Sequence, residues 1–95
     1  MREYEIMFIV KTTIGEDEVK AVSKKFQDVL KKDGAKNIEV QEMGQRELAY
    51  EIRKFSTGYY YLFVVEADKE AEQEFNRVAR INESLLRHLI VKVEE

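Results

Sequence analysis

The sequence predicts one α+β domain spanning residues 1–95, with its elements in the order βαββαβ. Three observations carry this expectation. Residues 4–10 and 59–65 are apolar at nearly every position, as strands buried on both faces are. Residues 16–33 and 68–82 instead place apolar side chains at helical spacing. The chain holds no cysteine, so packing alone must hold the fold, and 95 residues can bury enough surface to do so.

The first strand, Tyr-Glu-Ile-Met-Phe-Ile-Val from Tyr4, alternates and then turns wholly apolar, which places it centrally in a sheet. Thr13 and Glu16 have the spacing of a capping box, in which each side chain satisfies a free backbone N–H at a helix start. Glu16, Asp17 and Glu18 suit the positive end of the helix dipole. Val19, Val22, Phe26, Val29 and Leu30 repeat on one face until Asp33-Gly34 ends the helix. Ile38 and Val40 then alternate with polar neighbours, and Met43-Gly44 interrupts before a second extended piece, 45–52. An interrupting glycine predicts a bulged edge strand.

Ser56-Thr57-Gly58 has turn chemistry and is expected to close a hairpin onto strand 59–65, which is rich in aromatic and β-branched residues. Asp68 is the expected N-cap of the second helix, with Ala71, Phe75, Val78 and Ala79 facing inward, and the helix stops near Asn82. Residues 85–93 form the last strand. Right-handed crossovers then give a four-stranded antiparallel sheet of order 2-3-1-4 with both helices on one face, the ferredoxin-like arrangement.

That topology leaves one sheet face uncovered. If Tyr59, Tyr61, Phe63 and Val65 point to the helices, Tyr60, Leu62 and Val64 point away, joined by Met7 and Ile9 on the first strand and Leu89 and Val91 on the fourth. An apolar face of that breadth calls for a partner.

Composition narrows the function further. A chain that is 44% hydrophobic and 37% charged is globular, and it carries no run of about 18 apolar residues and no basic-then-apolar leader, so a cytoplasmic, membrane-free setting is expected. Without cysteine there is no thiol nucleophile or iron–sulfur ligand, and His88 is the one histidine, which leaves a metal site poorly supplied. Ser84 lies at a turn outside any nucleophile elbow, the acidic residues form solvated helix faces, and the glycines are isolated, so neither a hydrolase triad nor a phosphate loop is present. No cofactor and no small-molecule substrate are expected, and the chain reads as no enzyme. A dimeric ligand-sensing or enzymatic domain of the same fold, with two sheets enclosing a small molecule, is the rival; it lacks convergent polar groups. The net charge of −3 gives little drive for RNA binding by counterion release, so any RNA site must be local or shared.

Gly58-Tyr59-Tyr60-Tyr61-Leu62-Phe63-Val64 partly echoes the base-stacking third strand of RNA-recognition motifs, with Tyr60 in place of a small residue and Val64 in place of the last aromatic. A closer likeness rests on three segments together. Met1-Arg2-Glu3-Tyr4-Glu5, Gly44-Gln45-Arg46-Glu47-Leu48-Ala49-Tyr50 running on to Gly58-Tyr59-Tyr60, and Leu85-Leu86-Arg87-His88-Leu89-Ile90-Val91-Lys92 closely resemble bacterial small-subunit ribosomal protein six, over essentially the whole chain. Glu51 stands where that family often has proline.

The resemblance implies a structural component of the small ribosomal subunit, monomeric when isolated, that pairs with small-subunit protein eighteen and binds the central domain of the small-subunit ribosomal RNA. It implies an RNA surface drawing on Arg2, Tyr4, Tyr60, Arg87 and Lys92. The strand-end charges Arg2, Arg87 and Lys92 lie on neighbouring strands and are expected to converge into one patch. The edge strand and its turn, with Arg46, Leu48, Tyr50, Arg53 and Lys54, is the expected protein-partner surface, because an edge offers unpaired backbone groups as well as side chains.

Overall fold

The structure, a computed structural model, describes residues 1–93. Its elements are β1 (Arg2–Lys11), a 3₁₀ turn (Thr12–Ile14), α1 (Glu16–Lys32), β2 (Lys36–Ile52), β3 (Phe55–Ala67), α2 (Lys69–Arg80) and β4 (Leu85–Lys92). The sheet order is β2-β3-β1-β4, with each pairing antiparallel, so the expected ferredoxin-like topology is the observed one.

Aromatic rings join the helices to the sheet. Phe8 of β1 stacks on Tyr61 of β3 at 5.2 Å and meets Phe26 of α1 and Phe63 of β3 edge-on, and Phe26 in turn touches Phe75 of α2. Phe8, Phe26, Phe63 and Phe75 are fully buried. Each such side chain contributes about 1.5–3 kcal/mol by leaving water.

Local starts and turns differ from expectation in three places. The Thr13–Glu16 capping box does not form: Gly15, at φ +85°, occupies the cap position, and its carbonyl accepts the Val19 N–H at 3.0 Å. Thr13 is instead drawn into the 3₁₀ turn. Asp68 does hold the N-cap position of α2, but its backbone carbonyl receives the Ala71 and Glu72 N–H groups while its carboxylate lies 3.6 Å from the chain's amino terminus. The hairpin turns at Arg53-Lys54, not at 56–58: both residues take positive φ (48° and 70°), and Ile52 pairs with Phe55. Consecutive left-handed residues match the strands' right-handed twist, as in a type I′ turn, at a conformational cost of about 1–2 kcal/mol for each non-glycine residue.

Gly58 is therefore a strand residue, and its requirement is space: a Cβ there would overlap Cγ2 of Ile9. The bulge in β2 does form where expected. The register shifts between Glu42 and Gly44, and Gly44 takes φ +80°.

Candidate nucleic-acid and protein interface

Strand alternation and register together build the open face as cross-strand rows. Val91, Glu5, Val64 and Glu39 form one row; Leu89, Met7, Leu62 and Gln41 the next; Arg87, Ile9, Tyr60 and Gly44 the third; and Lys11, Gly58 and Arg46 a fourth on the three strands that reach it. The apolar band is exposed at its β4 edge, where Leu89 is 53% and Val91 47% accessible, and half-buried at Met7, Tyr60, Leu62 and Val64. Charge is graded along the strands. Carboxylates of Glu3, Glu5, Glu39 and Glu66 predominate at one end, where Lys36 is the one cation beside them among the described residues, and Lys11, Arg46 and Arg87 lie at the other.

Ile9 is only 5% exposed although it sits on this open face. The distal half of the β2–β3 hairpin covers it: Cδ2 of Leu48 lies 3.6 Å from the Cβ position at Gly58, immediately beside Ile9. The hairpin then reaches past the end of β1 to β4. Arg53 donates from Nη2 to the Leu85 carbonyl, and Arg87 donates from Nη1 to the Tyr50 hydroxyl with its guanidinium carbon 5.3 Å from the centre of that ring. Tyr50 remains 56% exposed. Arg46 turns its Nε toward the Met43 carbonyl at 3.2 Å, and Lys54 projects from the turn.

The expected RNA residues do not form one patch. Arg2 and Lys92 lie on the helix side of the sheet, lining a recess of about 470 Å³ with Tyr4, Asp68 and Glu72. Arg87 lies on the opposite face, paired with Ile9, seven residues along β1 from Arg2 and so roughly 23 Å away at 3.3 Å per residue. An odd separation along a strand points two side chains to opposite faces. Tyr4 follows the same parity as Ile6 and Phe8: it is 7% exposed within the helix-side core and presents no ring face for stacking a base. Tyr60, by contrast, stands on the open face in the same row as Arg87.

His88 points to the helix side, with Nε2 2.8 Å from Oδ1 of Asn76 in α2. Burial, aided by the nearby Arg80 charge, holds its pKa below the usual imidazole range. The Tyr61 hydroxyl is pushed up, first by burial and then by Glu42 and Tyr59. Arg80, at the last turn of α2, had no sequence pattern to single it out, yet it shares a groove with Arg53, Arg87 and His88.

Comparison with known proteins places this geometry. The family model of ribosomal protein S6 matches residues 3–92. The chain belongs to that family. The crystal structure of 30S ribosomal protein S6 from Thermotoga maritima is similar to it with a TM-score of 0.92, at 29% sequence identity, over 97% of this chain and 87% of that one. As an S6 family member the chain is a structural protein of the small ribosomal subunit, located in the cytoplasmic ribosome, and not an enzyme.

Proposed function

We propose that this S6 family protein binds the central domain of the small-subunit ribosomal RNA as one half of a heterodimer with small-subunit protein eighteen, and is a monomer when isolated. The observation that carries the proposal is the graded open face: an apolar band flanked by carboxylates at one end and cations at the other, on a chain of net charge −3. An acidic chain has little counterion-release drive of its own, so a cationic partner supplies what it lacks.

The partner protein covers the band at Leu62, Leu89 and Val91 and extends onto the hairpin at Arg46, Leu48, Tyr50 and Lys54. RNA is contacted from Tyr60 and Arg87, while Arg2 and Lys92 form a separate contact at the other end of the strands, in a recess they share with Lys69, Asp68 and Glu72. Titrating a central-domain transcript with the chain, with the partner, and with both decides the matter by filter binding at physiological salt. Tight binding by the pair and weak binding by the chain is the expected result. Equal affinity for the chain alone would overturn the shared-binding reading.

A further inference from the structure

We propose that the groove between the C-terminal end of α2, the start of β4 and the tip of the β2–β3 hairpin binds the phosphodiester backbone of RNA. This deepens the function proposed above and rests on it. The groove encloses about 290 Å³ and is lined by Arg53, Arg80, Arg87 and His88 against one carboxylate, Glu83. The whole chain has 19 acidic and 16 basic residues, so the groove inverts the composition of the molecule.

Each arginine is placed there by a different element. Arg80 stands in the last turn of α2, where the helix dipole favours a cation. Arg53 is drawn in from the hairpin tip by the Leu85 carbonyl, and Arg87 is steadied by the Tyr50 hydroxyl. The ion pairs among the described residues are Arg77–Glu74 and the amino terminus with Asp68, so no carboxylate neutralises these three guanidinium groups at ion-pair distance. A guanidinium carries five N–H donors, and one hydrogen bond to a neutral oxygen leaves most of them available for phosphate oxygens. The groove wall includes buried Ala79, Leu85 and Leu86, a low-dielectric backing that strengthens each charge contact. Tyr60, two strands from Arg87 in the same row, gives a nucleotide strand leaving the groove an aromatic surface, which a free phosphate or phosphopeptide would not use.

His88 reports on the site. The groups facing it are Arg80 and Asn76 from α2, Arg53 from the hairpin, Glu83 from the connection into β4 and, across on β1, the uncharged Phe8. Phosphate in the groove offsets the arginine field and favours the imidazolium, so binding takes up a proton. Affinity therefore rises as pH falls through the His88 pKa of the complex and levels off below that of the free protein.

Because His88 is the one histidine, its ring signals in a proton NMR spectrum are unambiguous. The test adds a ten-nucleotide oligouridylate to the full chain at low salt. The expected result is movement of the His88 ring signals and of amides 80–88, with the His88 titration midpoint shifted to higher pH. Arg80→Gln and Arg53→Gln should each weaken binding roughly tenfold and lower the log–log salt slope by about one, in proteins whose spectra remain folded. Movement confined to the Arg2–Lys92 end, or wild-type binding by both variants, would overturn the proposal. Saturation by tripolyphosphate with none by oligouridylate would assign the groove to a small polyanion and overturn it too. A central-domain transcript with the heterodimer separates the two claims: binding with His88 unmoved removes the groove alone, whereas no binding removes the RNA function with it.

Discussion

Replacing Gly58 with alanine isolates the contact that seats the hairpin on the open face. Gly58 has no positive φ to protect, so alanine introduces no backbone strain and should even gain about 0.4–1 kcal/mol through a less flexible unfolded chain. Against that stands one added methyl whose nearest atoms are Cγ2 of Ile9, which it overlaps, the Val10 carbonyl oxygen at 3.5 Å and Cδ2 of Leu48 at 3.6 Å. Overpacking of this kind costs about 1–3 kcal/mol. Ile9 is only 5% exposed, with Leu48 close beside it, so its side chain has little room to turn away and the penalty should win, leaving a net loss of about 1–2 kcal/mol. In a domain of this size that is roughly a 5–15 °C fall in Tm. Urea unfolding of a double-mutant cycle with Ile9→Ala checks the cause. If the overlap is responsible, Gly58→Ala should cost markedly less beside Ile9→Ala than alone. An equal cost in both backgrounds, or a neutral single mutant, would show that the Ile9 overlap does not set the cost.

Other outcomes follow from the same geometry. Phe26→Ala empties the centre of the aromatic cluster and should cost about 3–5 kcal/mol in urea unfolding. Arg46→Glu should shift stability by no more than about 0.5 kcal/mol, since its one contact is an exposed hydrogen bond to a carbonyl, while calorimetry should show weaker partner binding; unchanged affinity would remove Arg46 from the interface. His88 has a folded pKa below its unfolded value, so the unfolded chain binds the extra proton. Its contribution is complete above about pH 6.5 and is lost as pH falls from there toward the folded value. Urea midpoints at pH 7.5 and 5.5 should therefore differ more for wild type than for His88→Gln.

Much of the architecture was legible because it rests on periodicity. Two apolar strands, two amphipathic helices and a glycine interrupting β2 were enough to place all four strands, both helices and the bulge at Gly44, but not the 3₁₀ turn at Thr12–Ile14. The turn at Arg53-Lys54 was hidden because two non-glycine residues in the left-handed region leave no compositional trace, while Ser56-Thr57-Gly58 looks like a turn although Gly58 is there for Ile9. Gly15 likewise took the cap that Thr13 was spaced to provide. In the interface, the burial of Tyr4 and the separation of Arg2 from Arg87 were readable from strand parity: Tyr4 shares a face with Ile6 and Phe8, and Arg2 lies an odd number of residues from Ile9, the partner of Arg87. The reach of Arg53 to Leu85 was not readable, since it depends on a hairpin bending past β1 toward a strand that is not its neighbour.

Coverage of the open face by a protein partner should depend on Leu89. This side chain is 53% exposed and lies outside the packed core, so Leu89→Glu should leave the domain folded. Calorimetric titration of this variant with small-subunit protein eighteen should show affinity reduced by at least about thirtyfold, because an apolar contact worth about 2 kcal/mol or more is replaced by a charge. A folded Leu89→Glu protein that binds the partner as tightly as wild type would show that the partner does not cover this face.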